Sequence, residues 1–413
     1  MIKKYLNIEK PVMNAIIAEF FLQLINASYL AILPLYMKSE LFTDGEIGDS
    51  IKFRYLGVLL SALPVGLLIR KRKIKPFLVA STIFLPMLAM GILYTVGTHD
   101  IFLNHVFQIL WGASFTLIQI PILPFILRNG SPENRTFSIS LSYATWSVAT
   151  IAGSLVIWVL NGLDPLLFSE RNLLIGFTLA GCIGIYFSLR IRESAGPEPL
   201  APRQTRSGET VQDWKIMLRA LTPVLIIAVG AGFTIPFISL FFTQVHNLST
   251  SDFGLINFIA AILVATASLM VPKIKEQFGY RLSVPLTQSL AIIALVAMAT
   301  TQFYSFHYTA VWVAIFFFLL RQPLMNMAGP MTTELVMNYV GKRNRELVSA
   351  LTSAIWSGSW FFSGMLFARL RDSGIPYAEI FLITAGLYAM GVAWYYLLIR
   401  DHDRRQQSGK LDP

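Results

Sequence analysis

The stretch Asn134-Arg135-Thr136-Phe137-Ser138-Ile139-Ser140-Leu141-Ser142-Tyr143-Ala144-Thr145-Trp146-Ser147 returns 210 residues later, as Asn344-Arg345-Glu346-Leu347-Val348-Ser349-Ala350-Leu351-Thr352-Ser353-Ala354-Ile355-Trp356-Ser357. Six of the 14 aligned positions are identical: Asn134, Arg135, Leu141, Ala144, Trp146 and Ser147 each meet their own kind. Average residue usage would give roughly one identity by chance. Each copy starts on a polar Asn-Arg pair and runs into an apolar segment, so both enter a helix at the same point and from the same side. The chain reads as a parallel duplication.

Composition decides what surrounds these helices. Of 413 residues, 55% are hydrophobic and 14% charged, and the mean hydropathy is +0.60. Soluble domains average about 25% charged residues, and one or two soluble cores could not hide so much apolar side chain. Apolar runs repeatedly reach the ~20 residues that cross a bilayer. A soluble enzyme, a secreted disulfide scaffold and a nucleic-acid-binding domain are thereby excluded, and no nucleic-acid partner is expected. Cys182, the single cysteine, lies in an apolar run, so neither a disulfide framework nor a thiolate metal cluster is expected. No small-residue cleavage site follows Met1-Ile2-Lys3-Lys4, and the first apolar run reads as a retained helix.

Twelve spans emerge. The first six are 11–36, 51–69, 76–96, 101–127, 136–160 and 173–191; the second six are 221–242, 253–271, 283–303, 308–334, 346–370 and 377–399. The expected architecture is an all-α membrane protein of twelve transmembrane helices in two six-helix repeats. Residues 1–191 and 217–413 form the bundles, and 192–216, with Gly196-Pro197-Glu198-Pro199, form a cytoplasmic linker. Twelve spans put both termini on one face. Placing that face in the cytoplasm gives inner segments 26 of the 33 basic residues, and leaves Lys38, Lys52, Arg54, Arg171, Arg369 and Arg371 to outer segments and outer helix ends. The formal charge of +10 is then a topology signal. The expected location is a bacterial cytoplasmic (inner) membrane, with the lipid bilayer as partner and a monomer as assembly state. Two parallel six-helix repeats are the mark of an alternating-access carrier.

The whole chain resembles the major facilitator superfamily. The loop Pro272-Lys273-Ile274-Lys275-Glu276-Gln277-Phe278-Gly279-Tyr280-Arg281 is similar to that family's G-x-L-A-D-R-x-G-R-R/K motif at Glu276, Gly279 and Arg281. Its counterpart Gly66-Leu67-Leu68-Ile69-Arg70-Lys71-Arg72-Lys73 keeps Gly66 and Leu68 but has Arg70 in place of the acid. Ser131-Pro132-Glu133-Asn134-Arg135 is similar to the P-E-x-R segment before span five. The resemblance implies a conformational latch built from Glu276, Gly279 and Arg281 with Arg135 and Arg345. Two departures bear on coupling: Gln108 stands where proton-coupled members carry an arginine four residues before Gly112, and span five lacks the antiporter G-x-x-x-G-P-x-x-G-G run.

Spans one, four, seven and ten line the central cavity of that fold, and polar groups at membrane depth are costly enough to mark function. Span one carries Glu19, Gln23 and Asn26 on one helical face. Span four carries Asn104, Gln108, Gly112 and Gln119 on one stripe, with Trp111 beside it. Span ten carries Arg321, Gln322 and Asn326, with Arg321 about 20 Å from the helix start in a ~30 Å core. Trp356 lies well inside span eleven. The expected substrate-binding set is Asn26, Gln108, Trp111, Gln119, Arg321, Gln322, Asn326 and Trp356. Glu19 is the expected proton-coupling residue, with a structural pairing to Arg321 as its competing role. Helix-to-helix bonding and packing are the competing roles for the amides and tryptophans.

No phosphate-binding loop or H-E-x-x-H motif occurs, and the five histidines lack metal-ligand spacing. No catalytic residue, metal or cofactor is expected. The function read from the sequence is secondary transport of a small amphiphilic or weakly anionic organic solute, with or without proton coupling. A facilitative uniporter of the same fold is one alternative, and a receptor or scaffold without net flux another.

Overall fold

The computed structural model describes residues 8–69, 72–131, 134–193, 214–341 and 345–407, and all regular secondary structure among them is helical. Arg70-Lys71, Pro132-Glu133, residues 194–213 of the expected linker and the side chains of Arg135 and Arg345 lie outside the described residues. The chain divides into two compact units. Unit one holds residues 1–205 with 249–258, and unit two holds 206–248 with 259–413.

Unit one contains α1 (Lys10–Ser39), α2 (Asp44–Ile69), α3 (Lys75–Gly97), α4 (Ile101–Gln119), α5 (Ile122–Asn129), α6 (Arg135–Leu163), α7 (Glu170–Gly181) and α8 (Ile183–Leu189). α1 packs against α6 and α7, while α4 packs against both α2 and α3. The expected span 101–127 is present as one span, Ile101–Asn129, with its helix interrupted where Pro121 has no N–H to offer the Leu117 carbonyl. α2 begins earlier than the expected residue 51. Thr43 N–H donates to Glu46 Oε2 at 2.8 Å and Glu46 N–H to Thr43 Oγ1 at 3.2 Å, a reciprocal cap on the first turn. This added length corrects the place of Arg54. It is not at an outer helix end but ten residues past Asp44, about 15 Å along the helix, and only 7% exposed.

The α2–α4 crossing is close because two glycines sit in it. A Cβ on Gly57 would run into the Ile109 carbonyl, and one on Gly112 would run into the Arg54 carbonyl. In lipid, where apolar surface gains little by leaving the solvent, such backbone approach is a main source of helix association. Two carboxylates hold loops at the helix ends. Glu193 accepts the Ile74 and Lys75 N–H groups at 2.8 and 2.9 Å, and Glu9 accepts the Ser131 N–H at 3.0 Å and the Asn134 amide at 3.3 Å.

Unit two contains α9 (Trp214–Thr234), a 3-10 turn at Ile235–Phe237, α10 (Ile238–His246), α11 (Thr250–Thr300), α12 (Thr309–Tyr339), α13 (Arg345–Asp372) and α14 (Tyr377–Gln407). The first residues of α11 cluster with unit one. The 3-10 turn falls where Pro236 has no N–H for the Gly232 carbonyl, within the small-residue stretch that begins at Gly230. α9 packs between α13 and α14, with Ser363 Oγ donating to the Val229 carbonyl at 2.8 Å and Thr234 Oγ1 to Thr384 Oγ1 at 2.9 Å. α11 contains two spans in one, joined at Gly279, whose φ of 61° and ψ of 178° turn the chain. Eleven helical segments among the described residues are long and apolar enough to cross a membrane. α13, 28 residues with Ser353, Ser357, Ser359 and Ser363 along it, supplies the twelfth by length.

Candidate functional site

α12 turns one polar stripe into a cavity wall. Arg321, Gln322, Asn326, Gly329 and Thr332 border a hollow of about 270 Å³ within unit two. Facing them are Ile227 of α9, Gln288 of α11, Thr352 and Trp356 of α13, and Tyr388 and Tyr395 of α14. Gly329 helps keep the space open, since a Cβ placed there would meet nothing within 4 Å. Arg321 is 2% exposed and is the only charged residue in the wall among the described residues. The Tyr388 hydroxyl lies beside its guanidinium, and no carboxylate pairs with it among the described residues. Asn326 turns its amide back onto the Gln322 carbonyl at 2.8 Å. Thr352 Oγ1 is buried without a hydrogen-bond partner. The hollow therefore offers a fixed cation, hydroxyl and amide groups, and aromatic faces. That donor-rich set suits a small solute with one anionic end and an apolar body.

Unit one treats its own buried arginine differently. Arg54 Nε donates to Gln108 Oε1 at 2.9 Å, Gln108 Nε2 donates to Ser50 Oγ at 2.8 Å, and Ser50 Oγ donates to Asn104 Oδ1 at 2.9 Å. Asn104 closes the chain by donating to Thr95 Oγ1 at 3.0 Å. The guanidinium lies 3.6 Å from the Trp111 ring centroid, and Tyr29 packs on the same tryptophan at 5.2 Å. Arg54 Nη2 and Trp111 Nε1 are buried without hydrogen-bond partners. The adjoining void is only about 10 Å³, the scale of a single water. Gln108 and Trp111 thus clasp a guanidinium and do not border the unit-two hollow. Asn26 is half-buried on α1, and Gln119 is exposed at the end of α4; neither borders that hollow.

Counting basic residues by loop places Arg54 among the outer charges and hides its burial. A signal was nonetheless present: Ser50 and Arg54 are four apart, Asn104 and Gln108 are four apart, and a glycine follows each pair on the same face. Glu19, 6% exposed on α1, accepts a hydrogen bond from Ser142 Oγ at 2.6 Å and has no cationic partner among the described residues. Ser142 belongs to the repeated stretch, and its counterpart there is Thr352 of the cavity wall. In one copy the hydroxyl is satisfied by a carboxylate; in the other it is left facing space.

Residues 15–364 match the family model described as Major Facilitator Superfamily. The chain belongs to that superfamily. As a superfamily member it is an integral membrane protein of a transporter family, and its fold is a transporter's rather than an enzyme's. The crystal structure of a D-xylose-proton symporter is similar at a TM-score of 0.73 and 12% identity, covering 93% of this chain and 96% of the other. The nucleoside transporter NupG aligns at a TM-score of 0.71 and 13% identity, over 94% and 99% of the two chains. A POT family transporter in complex with thioalcohol conjugated peptide aligns at 0.72 and 11%, over 95% and 96%. At such identities the likeness is one of fold. No curated protein matches the sequence significantly.

In this superfamily member, three of the expected latch residues lie at one turn. Gly279 makes the turn between the two spans of α11, with Glu276 exposed on one side of it and Arg281 exposed on the other. Glu276 and Arg281 do not pair with each other. Arg281 instead borders a second hollow with Arg400, Asp403 and Arg404 of α14. α6 and α13 do begin at Arg135 and Arg345, the two arginines of the repeat.

Proposed function

We propose that this transporter moves a small amphiphilic organic solute with one anionic group by alternating access, and that the unit-two hollow is its substrate site. The observation that carries the reading is Arg321: a buried guanidinium in the wall of a hollow of about 270 Å³, with no carboxylate in that wall among the described residues. An unpaired charge at membrane depth is expensive, and a ligand that neutralises it recovers part of that cost. Gln322, Thr352 and Tyr388 supply further polar contacts, and Trp356 supplies a stacking face. The site favours carboxylate or phosphate monoanions over cations, because the charged side chain among its described lining residues is the Arg321 guanidinium.

Glu19 is the proton carrier in this reading. It is the one buried carboxylate of α1, it is held by a single short bond from Ser142, and no arginine neutralises it among the described residues. Both termini are assigned to the cytoplasm from the distribution of basic residues.

The test is a thermal-shift screen of purified protein against organic acids and their neutral amides or esters, followed by uptake in proteoliposomes. Arg321→Ala is expected to weaken binding of the best acid about 10- to 100-fold, the worth of a charge-assisted contact, while changing binding of its neutral analogue little. Equal losses for acid and neutral analogue would remove the anionic assignment. Glu19→Gln is expected to abolish accumulation driven by a pH gradient and to preserve downhill exchange. If the variant accumulates solute as wild type does, the chain is a uniporter or couples through another group.

A further inference from the structure

α14 runs past its apolar stretch and carries Tyr396, Arg400, Asp403 and Arg404 along one face, at spacings of four, three and one. Together with Arg281, which follows the turn at Gly279, they border an open hollow of about 280 Å³. This hollow shares no residue with the substrate site. Among the described residues, three guanidinium groups and one carboxylate border it.

The neighbouring arginines show what a satisfied cation looks like here. Arg219 and Arg405 both reach Asp401, at 3.2 and 3.0 Å, and the Tyr339 hydroxyl donates to the same carboxylate at 2.5 Å. Arg281, Arg400 and Arg404 have no ion pair or side-chain hydrogen bond among the described residues. Asp403, the one acid in the hollow among the described residues, lies 3.7 Å from His402 Nδ1. The level of the hollow is set by the sequence around it. Arg400 directly follows the last apolar turn, Tyr396-Leu397-Leu398-Ile399, in which Tyr396 and Leu397 are exposed large side chains. On a membrane-spanning helix, exposed apolar side chains face lipid tails, so the next turn lies among the head groups.

We propose that Arg281, Arg400 and Arg404 bind the phosphodiester of an anionic phospholipid, with Asp403 accepting from a hydroxyl of its head group. Planar guanidinium groups match phosphate oxygens in paired geometry, and three of them converge where the bilayer places that phosphate. A zwitterionic lipid brings a choline ammonium that the three arginines would repel. A phosphate ester free in solution has the same recognisable group, and the experiment separates the two sources.

The full chain, purified in detergent and stripped of lipid, is titrated with phosphatidylglycerol, phosphatidylcholine or sodium phosphate, and lipid retention is read by native mass spectrometry alongside thermal unfolding. Wild type is expected to retain phosphatidylglycerol and to be stabilised by it, with phosphatidylcholine and millimolar sodium phosphate inert. Arg400→Gln with Arg404→Gln is expected to weaken retention roughly 30-fold, and Arg281→Gln alone about 5-fold. Lys73→Gln, which removes an exposed cation from unit one, is the control and is expected to change nothing. If the double variant does not fold, Arg281→Gln decides. Unchanged retention in either variant, or equal retention of the two lipids, would overturn the proposal. Stabilisation by sodium phosphate that vanishes in the variants would overturn the lipid as the source.

Discussion

The two units each bury an arginine at membrane depth, and they satisfy it in opposite ways. In unit one Arg54 is packed: Gln108 takes its Nε, Trp111 covers its face, and the void beside it is about 10 Å³. In unit two Arg321 stands in the wall of a hollow of about 270 Å³, next to the Tyr388 hydroxyl. Side-chain type and burial are the same, so neither explains the difference. The space left around the guanidinium does. A cation whose neighbours are all protein holds helices together, whereas a cation with room beside it is poised to meet a solute.

The sharpest way to break this comparison is to delete each charge and measure stability in detergent. Arg54→Ala leaves Gln108 Oε1 unpaired and Trp111 uncovered, and is expected to cost about 3 kcal/mol. Arg321→Ala enlarges an existing hollow and is expected to cost less than about 1 kcal/mol. Equal losses would erase the distinction between a packed and a poised arginine.

The glycines of the two regions give a smaller contrast of the same sign. Gly112→Ala puts a methyl group into the Arg54 carbonyl and is expected to cost about 2 kcal/mol, because α2 and α4 must part. Gly329→Ala meets open space in the substrate hollow and is expected to be neutral or slightly stabilising, by up to about 1 kcal/mol. Thermal unfolding of the two variants side by side reads the difference, and a costly Gly329→Ala would mean that the hollow is smaller than it is here.

The smallest effect concerns how the units are anchored. Unit two ties α9 to α14 through Arg219 and Asp401, while unit one ties the start of α1 to the loop before α6 through Glu9. Burial pushes the Glu9 carboxyl up, but the bonds from Ser131 and Asn134 outweigh it and hold the group below the usual glutamate range. A carboxylate lowered in this way stabilises the fold above the unfolded-state range, and the contribution disappears as pH falls through the folded-state value. Glu9→Gln is thus expected to cost about 0.5 kcal/mol near neutral pH, a figure reduced for solvent screening, and nothing in acid. Unfolding curves for wild type and variant that stay apart below pH 3 would show that Glu9 acts by packing and not by charge.

Much of the architecture was legible without coordinates, because the bilayer imposes one-dimensional rules. Apolar runs of about 20 residues must be helices, the Asn134–Ser147 repeat declares the duplication, and Arg321 stands out by its cost at depth. The same rules fix less at the helix ends, where acidic Asp44, Glu46 and Asp49 masked the start of α2 and left Arg54 assigned to the outside. Stripe periodicity brought out Gln108, Trp111, Gln322 and Asn326 as residues of one face each, yet could not say what those faces meet. Sequence alone therefore determined the helical class and the duplication. Only the tertiary structure decided which polar residues touch protein and which touch space. That choice depends on side-chain volumes from several helices at once, such as Trp111 and Tyr29 filling one site while Gly329 leaves the other open, and no single helix encodes it.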